Sequence, residues 1–496
     1  MKRFICMVFA AMMLLCLLPL SVEAHAESSG ALSDTLSWTL EDNCLTIFGK
    51  GEIPSTLQGP WYDYRKDIHR IVIEEGVTGI GYHAFQGCSA ATSISLPKSL
   101  VYIGSRAFEG CKALKEIAIP YGIRYIEDFT FAECSALHKI SLPDTLESIG
   151  DHAFSGCRSL SSIDIPERTK TIKDYAFAGC ESLENIQLPE KVTLIANHLF
   201  EGCKSLKSVT MSSKTTKIGV SAFYGCSSLE SIPLPEGLMT IEWSAFEDCT
   251  SLKEIMIPQS VTSISNTTFL RCSSLESVTL PSNLNSIGNW AFAGCENLRS
   301  ITIPESLKWV YGSAFAGCTN LEEVHISDLE AWCLINFDIA SNPLQNGADL
   351  YLNGELVMEL VIPESMFAVA SWKFNGCQSI RSVVFPEGLT NIGPNAFENC
   401  TNLTEVYFPS TLESISGDAF TGCNNIQTIH YAGTVKQRLA IAITDEDGII
   451  ASTDWTFTTK NILLALLPFI LYVVFQVASV VVIFILEPRF RNPYRF

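Results

Sequence analysis

A phenylalanine returns every 23 residues along most of this chain. Phe85, Phe108, Phe131, Phe154, Phe177, Phe200, Phe223, Phe246, Phe269, Phe292 and Phe315 keep that spacing without a slip, and Phe374, Phe397 and Phe420 resume it after one break. A fixed period over fourteen copies restricts the chain to a repeat architecture. Each copy is too small to bury its own apolar residues, so neighbours must stack into a solenoid.

One copy shows what each unit should do. Leu137, Ile140 and Leu142-Pro143 are followed by Leu146, Ile149-Gly150, Ala153-Phe154 and Cys157. Ile140 and Leu142 alternate as in a strand with one face inward, and Pro143, lacking an N–H, closes it. Leu146 and Ile149 predict a second short extended segment. Ala153 to Cys157 predicts a tight helical or 3₁₀ turn that drives Phe154 into the core. The expected fold is a solenoid of short parallel β-strands with 3₁₀ or short helical turns, capped at both ends.

Eighteen cysteines would suit a disulfide scaffold in a short secreted chain, but in this chain fourteen of them sit three residues after a repeat phenylalanine. Phe154 with Cys157 and Phe177 with Cys180 represent this structural ladder. Stacked copies lie ~4.8 Å apart with parallel Cα–Cβ bonds, whereas a disulfide needs Cβ atoms converging to ~3.8 Å. The ladder therefore reads as small buried hydrophobes with weak S–H donors. Disulfides between neighbours remain the alternative, because an exported chain can meet an oxidising compartment.

Export is expected from the ends. Residues 1–26 combine Lys2-Arg3, an apolar stretch and Ala24-His25-Ala26, the format of a cleaved signal peptide. Residues 461–486 include 25 uncharged positions from Ile462 to Leu486, which as a helix would be ~37 Å long and span a bilayer. Arg489, Arg491 and Arg495 favour a cytoplasmic tail at 487–496 and an extracellular repeat region. No LPxTG-like site precedes the apolar run, so a sortase anchor is not expected, and the charged tail argues against a GPI signal. The net charge of −20 argues against nucleic acid as a partner.

The repeat L-x-x-I-x-[IL]-P-x-x-[LV]-x-x-I-[GS]-x-x-A-F-x-x-C resembles that of the BspA-like leucine-rich-repeat surface proteins from about Ile71 to Ile429. Trp38-x-Leu40 with Leu45-Thr46-Ile47 resembles the family's N-terminal cap hairpin, and Ile429-His430-Tyr431-Ala432-Gly433 its closing strand. The resemblance implies a bacterial cell-surface role, with adhesion to host proteins or to other cells. Domain boundaries follow: an N-terminal β cap at 27–70, repeats at 71–318, a non-repeat island at 319–373, repeats at 374–431, and a C-terminal cap with a short stalk at 432–460. Within the island, Asn353-Gly354 between apolar runs predicts a two-residue hairpin turn. The island reads as a splice that packs Trp332 and Phe337 on the solenoid, or else as a ligand site.

Chemistry is sparse. No catalytic, nucleotide-binding or zinc motif occurs, so no enzyme activity, cofactor or metal is expected. His83, His152 and His198 share one repeat phase but read as solvated turn residues, since His152 and His198 stand two copies apart, too far for one zinc. The expected binding surface is the outward strand row, with Lys139, Asp164, Gln187, Thr210, Glu254 and Thr279 as candidate contacts for an extracellular protein ligand. The row is small and mildly polar, has no aromatic anchor as far as Thr302, and reads equally as a solvated face. Trp243, Trp290 and Trp309 lie nearer the turn and read as half-buried packing residues. Adhesion is the leading function, and a passive surface coat is the alternative.

Overall fold

The computed structural model describes residues 28–55, 59–444 and 448–457. The expected leader at 1–26, the membrane helix at 461–486 and the tail at 487–496 lie outside these. Among the described residues, no helix is long and apolar enough to cross a membrane. The chain forms two compact units, one ending at Ile172 and one beginning at Lys173.

The first unit opens with an antiparallel meander of Ser28–Ala31, Leu36–Glu41 and Cys44–Gly49. The last of these pairs in parallel with Arg70–Ile73, and Ser93–Ser95, Glu116–Ala118 and Lys139–Ser141 follow in one seven-stranded sheet. Ile117 faces Ile140 in register, so the inward positions form a continuous column. A second row of two-residue strands, including Tyr125–Ile126, Ser148–Ile149 and Thr171–Ile172, runs parallel on the other side of the core. Between the rows the repeat phenylalanines stack, with ring centroids 5.4–5.7 Å apart from Phe85 to Phe154. Trp61 closes this stack against Phe85 at 5.5 Å and donates its indole N–H to the Ala84 carbonyl.

The second unit repeats the arrangement. Phe177 to Phe315 form one ring stack, and Phe374, Phe397 and Phe420 another. Phe154, Cys157, Phe177 and Cys180 are all fully buried. The period breaks at the island, but strand pairing does not. Asn336–Phe337 pairs in parallel with Trp309–Val310, and Asp349–Leu352 with Glu323–Ile326. Asn353 (φ 53°) and Gly354 (φ 83°) then turn the chain into an antiparallel strand at Glu355–Leu356, as their sequence predicts.

Four local expectations change. The strand Lys139–Ser141 ends before Leu142, which is half-buried, while Pro143 is buried. Residues 153–157 form a chain of β-turns rather than a 3₁₀ helix. His152 (φ 54°) and Gly156 (φ 73°) reverse the winding, so Phe131 N–H reaches sideways to Ala153 O at 2.8 Å in the next copy. Asp164 is exposed but not on a strand, although Ile163 beside it is buried. Thr428–Tyr431 is not the closing strand. Short helices at Val435–Arg438 and Ile449–Ser452 carry the chain round again, and Trp455–Phe457 pairs outside it.

Candidate interaction surface

Alternation on a three-residue strand buries the middle side chain and presents the flanking two. Lys139, Gln187, Thr210, Glu254 and Thr279 are all exposed in this way around buried Ile140, Ile186, Val209, Ile255 and Val278. Asp164 shares their exposure but not their strand geometry. Neighbours bond along the row, as where Ser208 Oγ donates to Asn185 Oδ1 at 2.6 Å. Lys139 and Asp164 belong to the first unit, and Gln187, Thr210, Glu254 and Thr279 to the second.

The row acquires rings beyond Thr302. Counting on by the repeat places His325 next, and its strand partner in register is Tyr351. Their rings stack at 4.8 Å, and His325 Nε2 lies 2.9 Å from Glu323 Oε2. After the island the motif returns in another order: Tyr407 stacks on His430 at 4.3 Å and donates its hydroxyl to Glu405 Oε2 at 2.9 Å. Burial, the Glu405 hydrogen bond and nearby carboxylates push the Tyr407 phenol up to about 12. Burial first and Glu323 second raise the Asp349 carboxyl. Burial lowers the His430 imidazole, with Glu405 opposing. The strand phase of Thr279 and Thr302, carried 23 residues further, falls on His325, so the repeat itself was the available signal.

The turn side also differs from expectation. Trp243, Trp290 and Trp309 are 58%, 52% and 47% exposed, so they do not pack the core. The turn histidines are more than solvated, since His152 stacks on Phe129 at 4.5 Å and His198 on Tyr175 at 4.2 Å. No group of three potential metal ligands occurs among the described residues. A small cleft near the C-terminal end is lined by Ile415, Ser416, Phe420, Ile443 and Ile450. Ser416 donates there to Asp418 at 2.6 Å, but the lining holds no imidazole or amine that could serve as base.

One buried charge escaped the sequence reading. Lys373 takes the slot that alanine holds in most copies, is 1% exposed, and donates Nζ to the carbonyls of Trp332 (3.4 Å) and Ile335. The indole N–H of Trp332 donates back to Lys373 O at 3.2 Å. Lys373 thus ties the end of the helix Leu329–Leu334 to the resumed repeats. Lysine before Phe374, where alanine precedes most of the other repeat phenylalanines, was the available signal.

The comparisons agree with this architecture. A leucine-rich repeat protein from Bacteroides ovatus ATCC 8483 is 29% identical, covering 86% of this chain and 99% of its own, with a TM-score of 0.58. A leucine rich cell surface protein from Faecalibacterium prausnitzii A2-165 is 24% identical over 85% of this chain and 99% of its own, with a TM-score of 0.38. No curated protein gives a significant match. The family model described as BspA type leucine rich repeat region matches residues 61–180, 148–276, 240–341 and 347–442. With most of its length accounted for by that repeat and its stacked-strand architecture, this chain belongs to the BspA type leucine-rich-repeat family.

Proposed function

We propose that this is a membrane-anchored cell-surface protein whose outward strand row binds protein ligands, in adhesion to host or neighbouring cells. The observation that carries the reading is the row itself, whose exposed flanking side chains are free of core duty from Lys139 to Thr279 and which goes on to the half-buried His325–Tyr351 pair. Tyrosine supplies a rigid contact surface with a polar tip and is enriched at protein interfaces. Repeat solenoids of this family suggest protein–protein interaction. The apolar run at 462–486 would hold the chain in the membrane, with the repeats outside.

The test is binding of the full purified chain, in detergent, to an array of matrix and cell-surface proteins. Saturable nanomolar to micromolar binding that falls in Tyr351→Ala or His325→Ala supports the proposal. Weak binding abolished by modest salt favours a passive acidic coat.

A further inference from the structure

We propose a second binding surface, on the turn edge of residues 239–313, that takes a neutral polysaccharide chain. Its rings are Trp243, Trp290 and Trp309, about half exposed, and Tyr311, 41% exposed. Trp309 and Tyr311 lie nearly parallel, 14° between planes and 6.3 Å between centroids. Ser263, Ser286, Trp309 and Asn336 form one register column of the second strand row, so these turns are held rigidly side by side.

Burial separates the tryptophans: Trp38, Trp61 and Trp332 are buried, whereas Trp243, Trp290 and Trp309 are exposed. Trp61, Trp332 and Trp455 each donate to a backbone carbonyl and serve the fold. Trp243, Trp290 and Trp309 donate to no protein acceptor among the described residues. Trp290 stands at the left-handed turn position (φ 59°) that Phe129, Tyr175 and His198 hold in earlier copies and Ser244, Thr267 and Ser313 in the nearest ones. The Phe129 and Tyr175 rings at this position stack on His152 and His198, whereas the Trp290 ring is 52% exposed and stacks on no ring among the described residues.

Charge selects the occupant. The chain carries −20, yet residues 239–244, 262–267, 285–290 and 308–313 hold only two charged side chains, Glu242 and Lys308, and the adjoining turn at 336–340 adds one, Asp338. Glu242 is already paired with Lys217 at 2.6 Å. Hydroxyls and amides fill the remaining polar positions. Asn266 Oδ1 accepts from the backbone N–H of Asn289 at 2.9 Å and from its Nδ2 at 3.3 Å, which fixes both amides with hydrogen-bonding capacity left over. Flat rings that take the C–H face of a pyranose, beside uncharged groups that bond hydroxyls, suit a neutral glycan better than a basic peptide or an anionic polymer. Trp243 and Trp309 stand three turns apart, about 14 Å at ~4.8 Å per turn, a span that fits several linked sugars. None of these residues lies on the protein-binding row, so the inference stands apart from that reading.

Affinity electrophoresis of the full chain, in native detergent gels containing dextran, galactomannan or mixed-linkage β-glucan, tests it. At least one neutral polymer should retard the protein and shift its tryptophan fluorescence. Trp309→Ala should weaken the retardation about tenfold or more. Trp290→Ser, which installs the residue that Ser313 supplies in the next copy, should do the same with an unchanged melting profile. Retardation by none of the three, retardation only by anionic polymers such as alginate, or retardation unaffected in both variants would overturn the proposal. Capture of a protein ligand with no glycan retardation would reassign this edge to protein binding.

Discussion

The thiol of Cys272 donates a hydrogen bond to the backbone carbonyl of Phe246, 3.1 Å away in the preceding turn. The same bond joins Cys111 to Phe85, Cys134 to Phe108, Cys249 to Phe223 and Cys423 to Phe397. The carbonyl belongs to the turn residue whose ring enters the core, where water cannot reach it. The Phe246 carbonyl also accepts the backbone N–H of Cys249 at 3.2 Å, so the thiol fills its second lone pair. Cysteine is the small apolar residue that also carries a donor. All the described cysteines are free thiols, and those of the ladder are buried.

The first prediction is chemical. A thiol reagent should label the native ladder slowly and reach most of it after denaturation without reductant. Mass mapping that found disulfides between neighbouring copies would contradict this arrangement.

The second concerns alkaline pH. Burial pushes the thiols of Cys88, Cys134 and Cys203 up to about 12, against an ordinary value near ~8.5. A group raised on folding stabilises fully below its unfolded pKa and loses that contribution as pH rises toward the folded one. Each such thiol should therefore withdraw up to ~1.4 kcal/mol per pH unit above pH ~8.5. Melting temperatures should hold between pH 6 and 8 and fall steeply above, and Cys249→Ala with Cys272→Ala should flatten the decline locally.

Lys373 should act in the opposite sense. Burial holds its amine at about 8, below the usual lysine range. Between that value and ~10.4 the unfolded chain binds more protons, so this residue's contribution to stability rises with pH. Urea unfolding at pH 7 and pH 9.5 should show Lys373→Met losing more stability than the parent on going to the higher pH. An equal loss in both would mean that the amine is not desolvated as its burial requires.

Stability should be distributed along the stack. Phe246 lies between Phe223 at 5.2 Å and Phe269 at 5.5 Å, so Phe246→Ala should cost ~3–5 kcal/mol. Hydrogen exchange should accelerate in adjoining copies first, with distant copies protected. Thr210→Lys, on the outward row, should stay within ~0.5 kcal/mol of the parent. Loss of protection spread evenly over all copies would rule out a one-dimensional stack.

Orientation is open to a direct measurement. Protease added outside intact cells should remove repeat epitopes and spare a tag placed after Phe496. Loss of the tag with the repeats intact would reverse the proposed topology.

The 23-residue period was enough to determine the stacking of Phe154, Phe177 and their counterparts, the burial of the ladder cysteines and the family itself. Those contacts join equivalent residues of successive copies, so spacing alone encodes them. Asn353-Gly354 was legible for a similar reason, since a two-residue turn is set by its own backbone preferences. The tertiary structure decided what depends on unlike neighbours. It exposed Trp243, Trp290 and Trp309, each of which has a different residue in its place in the neighbouring copies. It carried the strand pairing through the island, where Asp349–Leu352 finds Glu323–Ile326 across a spacing of 26 residues instead of 23. It buried Lys373 beneath the carbonyl end of a helix forty residues upstream, a contact between unrelated segments that no repeat of the sequence announces.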